Sequence, residues 1–202
     1  MAGPHSFIIY NILTTMAAKF YDAEIDGIYY RLTGNEAAVT FRDDYYNSYS
    51  GAVAIPESVV HDGKTYRVTG INDWAFCSCR DLTSVIIPDS VTSLGHSVFA
   101  FSSSIASITI GNGVQSIHKS TFKSCISLTS VTIPESVQDI AAFAFAFCGG
   151  LRDIYCRATT PPAVDEDAFN DYSKTLHVPA ASVDAYKANK VWKRFRNIMP
   201  IK

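Results

Sequence analysis

The sequence predicts an α/β repeat fold, a solenoid of 23-residue units in which each unit adds one short strand to a parallel sheet on one face. Two observations predict it. The first is a column of phenylalanines with a constant 23-residue step, at Phe76, Phe99, Phe122 and Phe145. The second is that four more apolar columns keep the same step over the same region. Such a register indicates stacked units, because no single unit could bury its own apolar face.

Each unit is expected to supply one strand and one turn segment. From Leu128 to Ile133 the apolar side chains are Leu128, Val131 and Ile133, with a polar residue between the last two. A period of two predicts a strand with one buried face, and Pro134 ends that strand because proline donates no ladder hydrogen bond. The chain then turns and is expected to run through a short helical or turn segment as far as Phe145.

Three repeated phrases resemble a known family. They read IPDSVTSLGHSVFAF, SCISLTSVTIPESV and IPESVQDIAAFAFAFC, and they are similar to BspA-like leucine-rich repeats, also called the Treponema-type repeat. The segments EIDGIYYRLTGNEAAVTF and HDGKTYRVTGI resemble the β-rich N-terminal part of such proteins from Bacteroides relatives, and LHVPAASVDAYKANKVWKRFRNIMPI resembles their closing segment. The resemblance implies a leucine-rich-repeat solenoid, and it is far more specific for fold than for function.

The predicted organisation has four parts. Residues 1–19 are a possible degenerate signal peptide, or an apolar leader that packs on the first repeat. Residues 20–70 form a β-hairpin N-terminal cap, with tight turns at Asp26-Gly27 and Asp62-Gly63. Residues 71–158 are the repeats. Residues 159–202 are an irregular last repeat and a short helical C-terminal cap.

The C-terminal part holds three predicted elements. Leu176 and Val178 predict a final strand, and residues 182–189 predict a short helix. From Lys187 onward the segment is basic, and we expect it to be amphipathic because its large apolar residues recur at helix-like spacing, at Trp192, Phe195, Ile198 and Met199. A solvated basic face is the simpler interpretation, and contact with a membrane surface or an acidic partner is the alternative.

Composition and charge exclude several classes. Of the 202 residues, 48% are hydrophobic, and the net charge is −2. A net charge this close to zero does not indicate a nucleic-acid partner, because binding to nucleic acid calls for a basic domain. No apolar run reaches the roughly 18 residues of a membrane-spanning helix, so no transmembrane segment is predicted.

The sequence predicts no catalytic residue, metal ligand or cofactor. It contains no P-loop, GxSxG or HExxH motif, and Gly111-Asn112-Gly113 is expected to form a tight turn rather than a phosphate cradle. His96 and His118 are expected on neighbouring units as exposed turn residues. The acids at 165–167 are expected to compensate the dipole of a following helical turn. Three cysteines share one repeat position and are expected to be buried free thiols, Cys79, Cys125 and Cys148.

The candidate binding surface is the set of strand residues that point outward. Those side chains are mostly small over three units, and the fourth unit adds an acid and an aromatic ring. The predicted partner-binding residues are Ser84, Ile86, Ser107, Thr109, Ser130, Thr132, Asp153 and Tyr155. A competing surface is the aromatic N-terminal cap around Tyr45, Tyr46 and Tyr49.

The resemblance implies a non-enzymatic binding or adhesion module of a cell-surface or secreted protein. Its partner would be a protein or a glycan, from a host extracellular matrix or another cell surface. The alternative function is a purely structural repeat spacer without a ligand of its own. Good strand formers such as threonine and isoleucine would occupy the outward positions in either case.

Overall fold

The computed structural model describes residues 20–43 and 45–202. The possible signal peptide at 1–19 lies outside the described residues. The strands are β1 Ala23–Ile25, β2 Ile28–Thr33, β3 Glu36–Thr40, β4 Gly51–Ala54, β5 Ser58–His61, β6 Lys64–Ile71, β7 Leu82–Ile86, β8 Ser93–Leu94, β9 Ser107–Thr109, β10 Ser116–Ile117, β11 Ser130–Ile133, β12 Asp139–Ile140, β13 Asp153–Cys156, β14 Ala163–Val164, β15 Thr175–Val178 and β16 Asn197–Pro200. Helix α1 spans Val183–Ala188, between the 3-10 turns Ala180–Ser182 and Trp192–Arg194.

The longer repeat strands form one side of the solenoid. β4, β7 and β9 pair in parallel, and so do β11, β13, β15 and β16. The two sets meet between β9 and β11, where Ser127 N donates to Ser103 O at 3.2 Å. The predicted parallel pairing on one face is therefore confirmed, in two successive sheets, β4 to β9 and β11 to β16.

Two-residue strands form a second side that the sequence analysis did not anticipate. β8 pairs with β6, and β10, β12 and β14 pair with one another, all in parallel. Strands this short show no alternation in the sequence. Their register is nevertheless regular, with Ile117 opposite Ile140 and Ile140 opposite Val164.

Stacked turns form the third side, which we call the turn side. Phe99 N donates to Thr121 O, and Phe122 N to Ala144 O, both at 2.8 Å. These donors reach the next unit along the solenoid and are not available for bonds inside a helix. The turn alternative for this segment is therefore confirmed, and the helical one is wrong.

A column of buried aromatic rings runs through the core. The rings of Phe76, Phe99, Phe122 and Phe145 stack on their neighbours with centroids 5.1–5.4 Å apart, and each side chain is fully buried. Tyr49 extends the column at one end, 4.3 Å from Phe76. Further rings extend it at the other end through Phe169, Phe195 and Trp192.

Both predicted N-terminal hairpins are present. Ile25 pairs with Ile28 around Asp26-Gly27, and His61 pairs with Lys64 around Asp62-Gly63. The second hairpin, β5–β6, accounts for the extra residues that separate the Ile55-Pro56 phrase from Ile71. Of the cap tyrosines, Tyr49 is buried against the first repeat ring, whereas Tyr45 is 81% exposed.

The C-terminal cap confirms the final strand and the short helix but corrects the closing segment. Residues 197–200 form β16 instead of continuing at helical spacing, and Ile198 lies opposite Leu176 on β15. Pairing with β15 gives these backbone groups the partners that a helix would otherwise supply.

The acidic segment at 165–167 also differs from the expectation, because a turn and not a helix follows it. Asp165 Oδ1 accepts a hydrogen bond from Asp167 N at 2.9 Å, which holds the turn locally. Glu166 forms an ion pair with Lys190, and this contact lowers the pKa of the Glu166 carboxyl. Asp165 therefore stabilises a turn and Glu166 forms an ion pair; the expected compensation of a helix dipole is wrong.

The cysteines of the shared repeat position are buried and free, as expected. Cys125 Sγ donates to Phe99 O at 3.2 Å, and Cys148 Sγ donates to Phe122 O at 3.0 Å. Ser102 stands at the same position one unit earlier and donates to Phe76 O at 2.6 Å. Each of these side chains thus anchors itself to a backbone carbonyl of the preceding unit.

Candidate functional site

The outward side chains of the longer strands form two parallel columns, which we call the strand face. Within each of the two sheets, strand register places every residue opposite its counterpart on the next strand. Between β9 and β11 the columns continue by the 23-residue repeat step. The first column is Ala52, Ser84, Ser107, Ser130, Asp153, Thr175 and Asn197. The second column is Ala54, Ile86, Thr109, Thr132, Tyr155, His177 and Met199.

The structure places all the predicted binding residues on the strand face. Four of them are exposed, Ile86, Ser107, Thr109 and Ser130, and the others are half-buried, Ser84, Thr132, Asp153 and Tyr155. Their inward neighbours Val85, Ile108, Val131 and Ile154 are buried. The alternation that assigned them to the outer side is therefore present on every strand.

Near its C-terminal end the strand face carries a cluster of three side chains that contact one another, Asp153, Tyr155 and His177. The Tyr155 and His177 rings lie parallel, with centroids 4.4 Å apart and planes 11° from each other. His177 Nε2 lies 2.8 Å from Asp153 Oδ1. Because the imidazole touches both partners, it holds the carboxylate and the phenol in one fixed arrangement.

Half of this end of the face was not predicted from the sequence. Leu176 and Val178 indicated a strand, but Thr175 and His177 were not predicted as its outward residues. The alternation of buried and outward residues that identified the other strands is present here too. However, Leu176 follows Ile154 by 22 residues, one fewer than the repeat step of 23. Met199, 47% exposed, and Asn197 continue the columns on β16, where the sequence indicated helical spacing.

The second column has a shallow trough in its middle. Thr109 and Thr132 are small, whereas Ile86 on one side is 52% exposed and Tyr155 on the other carries a ring. With strands about 4.8 Å apart, the three steps from Ile86 to Tyr155 span about 14 Å. An extended chain of about four residues covers that distance.

The histidine of the cluster contacts a carboxylate and a phenol ring. In the part of the chain that the structure describes, no serine, threonine or cysteine side chain hydrogen-bonds to the His177 ring. Over the same residues, no three histidine, cysteine or acidic side chains come together as a metal site. The His96 and His118 rings lie on neighbouring units as expected, with centroids 5.2 Å apart.

Gly111 and Gly113 serve the packing of successive units. A side chain at Gly111 would approach Pro88 O to 2.4 Å, and one at Gly113 would approach Asp89 O to 2.2 Å. Asn112 N donates to Asp89 Oδ1 of the preceding unit at 2.7 Å. The glycines therefore let one turn sit directly on another, as the tight-turn prediction requires.

The competing surface is an open groove beside the N-terminal cap. It has a volume of about 620 Å³ and is lined by Arg42, Tyr45, Tyr49, Arg80 and Asp81 among others. Tyr45 is the most exposed of its aromatic residues, while Tyr46 packs edge-on against Trp74. Only part of the predicted aromatic surface is thus available to a partner.

Within residues 20–43 and 45–202, none of the helices has the length and apolar character that a membrane crossing requires. A family model described as BspA type leucine rich repeat region matches residues 54–176 in six copies. The chain belongs to the BspA-type leucine-rich repeat family. No curated protein matches it.

Solved structures of similar proteins come from several bacteria. A leucine-rich cell surface protein from Faecalibacterium prausnitzii is 26% identical with a TM-score of 0.59; the match covers 89% of this chain and 39% of that one. A leucine-rich repeat protein from Bacteroides capillosus is 28% identical with a TM-score of 0.57, over 67% of this chain and 97% of that one. A T. pallidum leucine-rich repeat protein, 21% identical, shares the fold with a TM-score of 0.67, over 89% and 83% of the two chains. This BspA-type chain thus spans about two fifths of the F. prausnitzii protein.

Proposed function

We propose that this BspA-type repeat protein is a non-catalytic binding module of a cell-surface or secreted protein, and that its strand face holds a protein or glycan partner. The observation that carries the proposal is the cluster of Asp153, Tyr155 and His177 at one end of that face. The F. prausnitzii protein, described as a cell surface protein, supports the location.

The cluster suits binding because its side chains are held in place before a partner arrives. A stacked ring that is already ordered loses little conformational entropy on binding, and tyrosine is among the residues that contribute most at interfaces. Asp153 adds hydrogen-bond acceptors, and its side chain remains 42% exposed beside His177. The small threonines next to it leave room for an extended partner along the trough.

The test is a binding screen against a glycan array and immobilised extracellular matrix proteins, followed by substitution on the strand face. Tyr155→Ala should weaken binding of any ligand found by about 1–3 kcal/mol, while the matched change Thr109→Ala should have little effect. Binding that ignores Tyr155→Ala and is lost in Tyr45→Ala would assign the function to the N-terminal groove. Absence of any ligand in the screen would favour the structural spacer.

A further inference from the structure

Three exposed phenylalanines surround one lysine on the turn side, away from the strand face. Phe101, Phe143 and Phe147 are 48%, 37% and 55% exposed. Lys123 lies on the unit between them, with Nζ 5.7, 5.9 and 5.7 Å from the centroids of the three rings. We call these four residues the aromatic turn patch.

The fold does not require aromatic residues at these positions. Phe101 and Phe147 share a repeat position with Ser78 and Ser124, and Phe143 shares one with Ser97 and Ser120 as well as with Trp74. All three phenylalanines have φ between 61° and 63°, in the left-handed region that bulky residues rarely adopt. The serines adopt the same conformation in their own units. Because the rings are exposed and sit on an unfavourable backbone, they contribute little to the core.

The charge of the patch has one sign. The turn segments 95–103, 118–126 and 141–149 contain Lys119, Lys123, His96 and His118 and no acidic residue. Within the described residues, Lys123 has no carboxylate within ion-pair distance. The neighbouring turn segments carry acidic residues, Asp73 one unit before and residues 165–167 and Asp171 one unit after.

We propose that the aromatic turn patch binds an acidic segment of a partner protein that carries apolar side chains next to its carboxylates. A lysine ammonium only donates hydrogen bonds, and a carboxylate only accepts them, so the centre of the patch calls for an acid. The three rings around it offer apolar contact on either side of that acid. A neutral sugar fits less well, because no side chain of the four patch residues can accept its hydroxyl hydrogens.

The experiment is selection from a random twelve-residue phage-display library on the immobilised full chain, with synthetic copies of the selected peptides for affinity measurement. The variants copy the solenoid's own residues: Phe101→Ser, Phe143→Ser and Phe147→Ser together, and Lys123→Ala, since Ala100 and Ala146 hold the equivalent position. Ile86→Thr, which copies Thr109 of the strand face, is the control.

Selected peptides should combine aspartate or glutamate with apolar residues. Their affinity should fall about tenfold or more in the triple variant, several-fold in Lys123→Ala, and not at all in Ile86→Thr. Affinity should also decline as salt is raised. In 15N-labelled wild-type protein, the peptide should shift the amide signals of 101, 123 and 147, a result independent of how stable the variants are.

Several results would overturn the proposal. They are the absence of enriched peptides, enrichment of basic or neutral sequences, equal affinity for the triple variant, and shifts confined to the strand face. Binding of a sialylated glycan at the patch in place of peptides would mean an anionic sugar site. Dimerisation of the wild type at micromolar concentration, lost in the triple variant, would mean that the patch joins two copies of this chain.

Discussion

The imidazole of His177 lies flat on the phenol ring of Tyr155, with the two centroids 4.4 Å apart. The contact arises because β13 and β15 pair in parallel with these residues directly opposite each other. Asp153 lies on the same strand as Tyr155 and reaches the imidazole from the other column. An ordered polar and aromatic surface thus follows from strand register alone, without a loop or a cofactor.

The Tyr155–His177 contact should be measurable by a double-mutant cycle. Tyr155→Ala and His177→Ala should show a coupling of about 0.5–1.5 kcal/mol in the free energy of unfolding, the value of a stacked aromatic pair. Urea unfolding of the wild type, the two single variants and the double variant measures it. The control cycle combines Thr109→Ala with His177→Ala, which should be additive within about 0.5 kcal/mol. Additivity in both cycles would show that the rings do not interact.

The aromatic column predicts a large loss of stability for one central ring. Phe122 is fully buried between Phe99 and Phe145, so Phe122→Ala should lower the free energy of unfolding by about 3–5 kcal/mol through loss of contacts and a cavity. Phe147→Ser, at a mainly exposed ring of the next unit, should cost less than about 1 kcal/mol. Urea unfolding compares the two. A cost for Phe122→Ala below that of Phe147→Ser would refute the stacked core.

Ser102 should be more sensitive to substitution than its size suggests. Its Oγ donates to Phe76 O at 2.6 Å and accepts from Cys79 N at 3.0 Å, and the residue is fully buried. Ser102→Ala would leave both groups without this partner and should cost about 1–3 kcal/mol. The exposed neighbour gives the control Ser104→Ala, with little expected change. Thermal or urea unfolding measures the stability of both variants. Equal stability of Ser102→Ala and Ser104→Ala would contradict a structural role for the Ser102 hydroxyl.

All five cysteines should react as thiols once the protein is unfolded. Burial raises the pKa of Cys79 and Cys148 to about 11 and that of Cys125 well above its usual value, so these thiols stay protonated at pH 8. Thiolates are the reactive species. A thiol reagent at pH 8 should therefore modify these three thiols slowly in the native protein, and it should modify the denatured, unreduced protein five times per chain. A denatured count of three or fewer would indicate disulfides.

The same raised pKa values predict a loss of stability at alkaline pH. An unfolded thiol loses its proton near pH 8.5, whereas native Cys148 keeps it until about pH 11. The stability linked to this thiol is therefore complete below about pH 8.5 and is lost as the pH rises toward 11. The urea midpoint should fall between pH 7 and pH 9.5, and less steeply in Cys148→Ser. Identical slopes for the two proteins would contradict the linkage.

The sequence predicted the parts of the fold that repeat with long apolar columns. Each such column marks the side chains that face the core, so the burial of Phe122 and the outward position of Tyr155 both follow from spacing. The second sheet could not be predicted in the same way, because strands of two residues such as Ser93–Leu94 have no measurable period. β16 was missed because its apolar residues also fit helical spacing, although Ile198 follows its partner Leu176 by 22 residues, close to the repeat step.

The sequence indicated most of the strand face but not the aromatic turn patch. His177 was hidden by a one-residue change in the repeat step, although its strand was recognised. Phe143 and Phe147 flank the core residue Phe145, and composition alone does not tell two exposed rings from a buried one. Only the three-dimensional stacking of successive turns shows that Phe101, two units earlier, belongs to the same patch.

Hydrogen bonds between turns join each unit only to its immediate neighbours, as from Phe99 N to Thr121 O. In-frame duplication of one 23-residue unit therefore leaves every existing contact type intact and adds one more row to the array. Each row added between Ile86 and Tyr155 increases the distance between these two residues by about 4.8 Å. Under the proposed function, the number of repeat units therefore sets the length of partner that the strand face can span, while the side chains at each end stay unchanged.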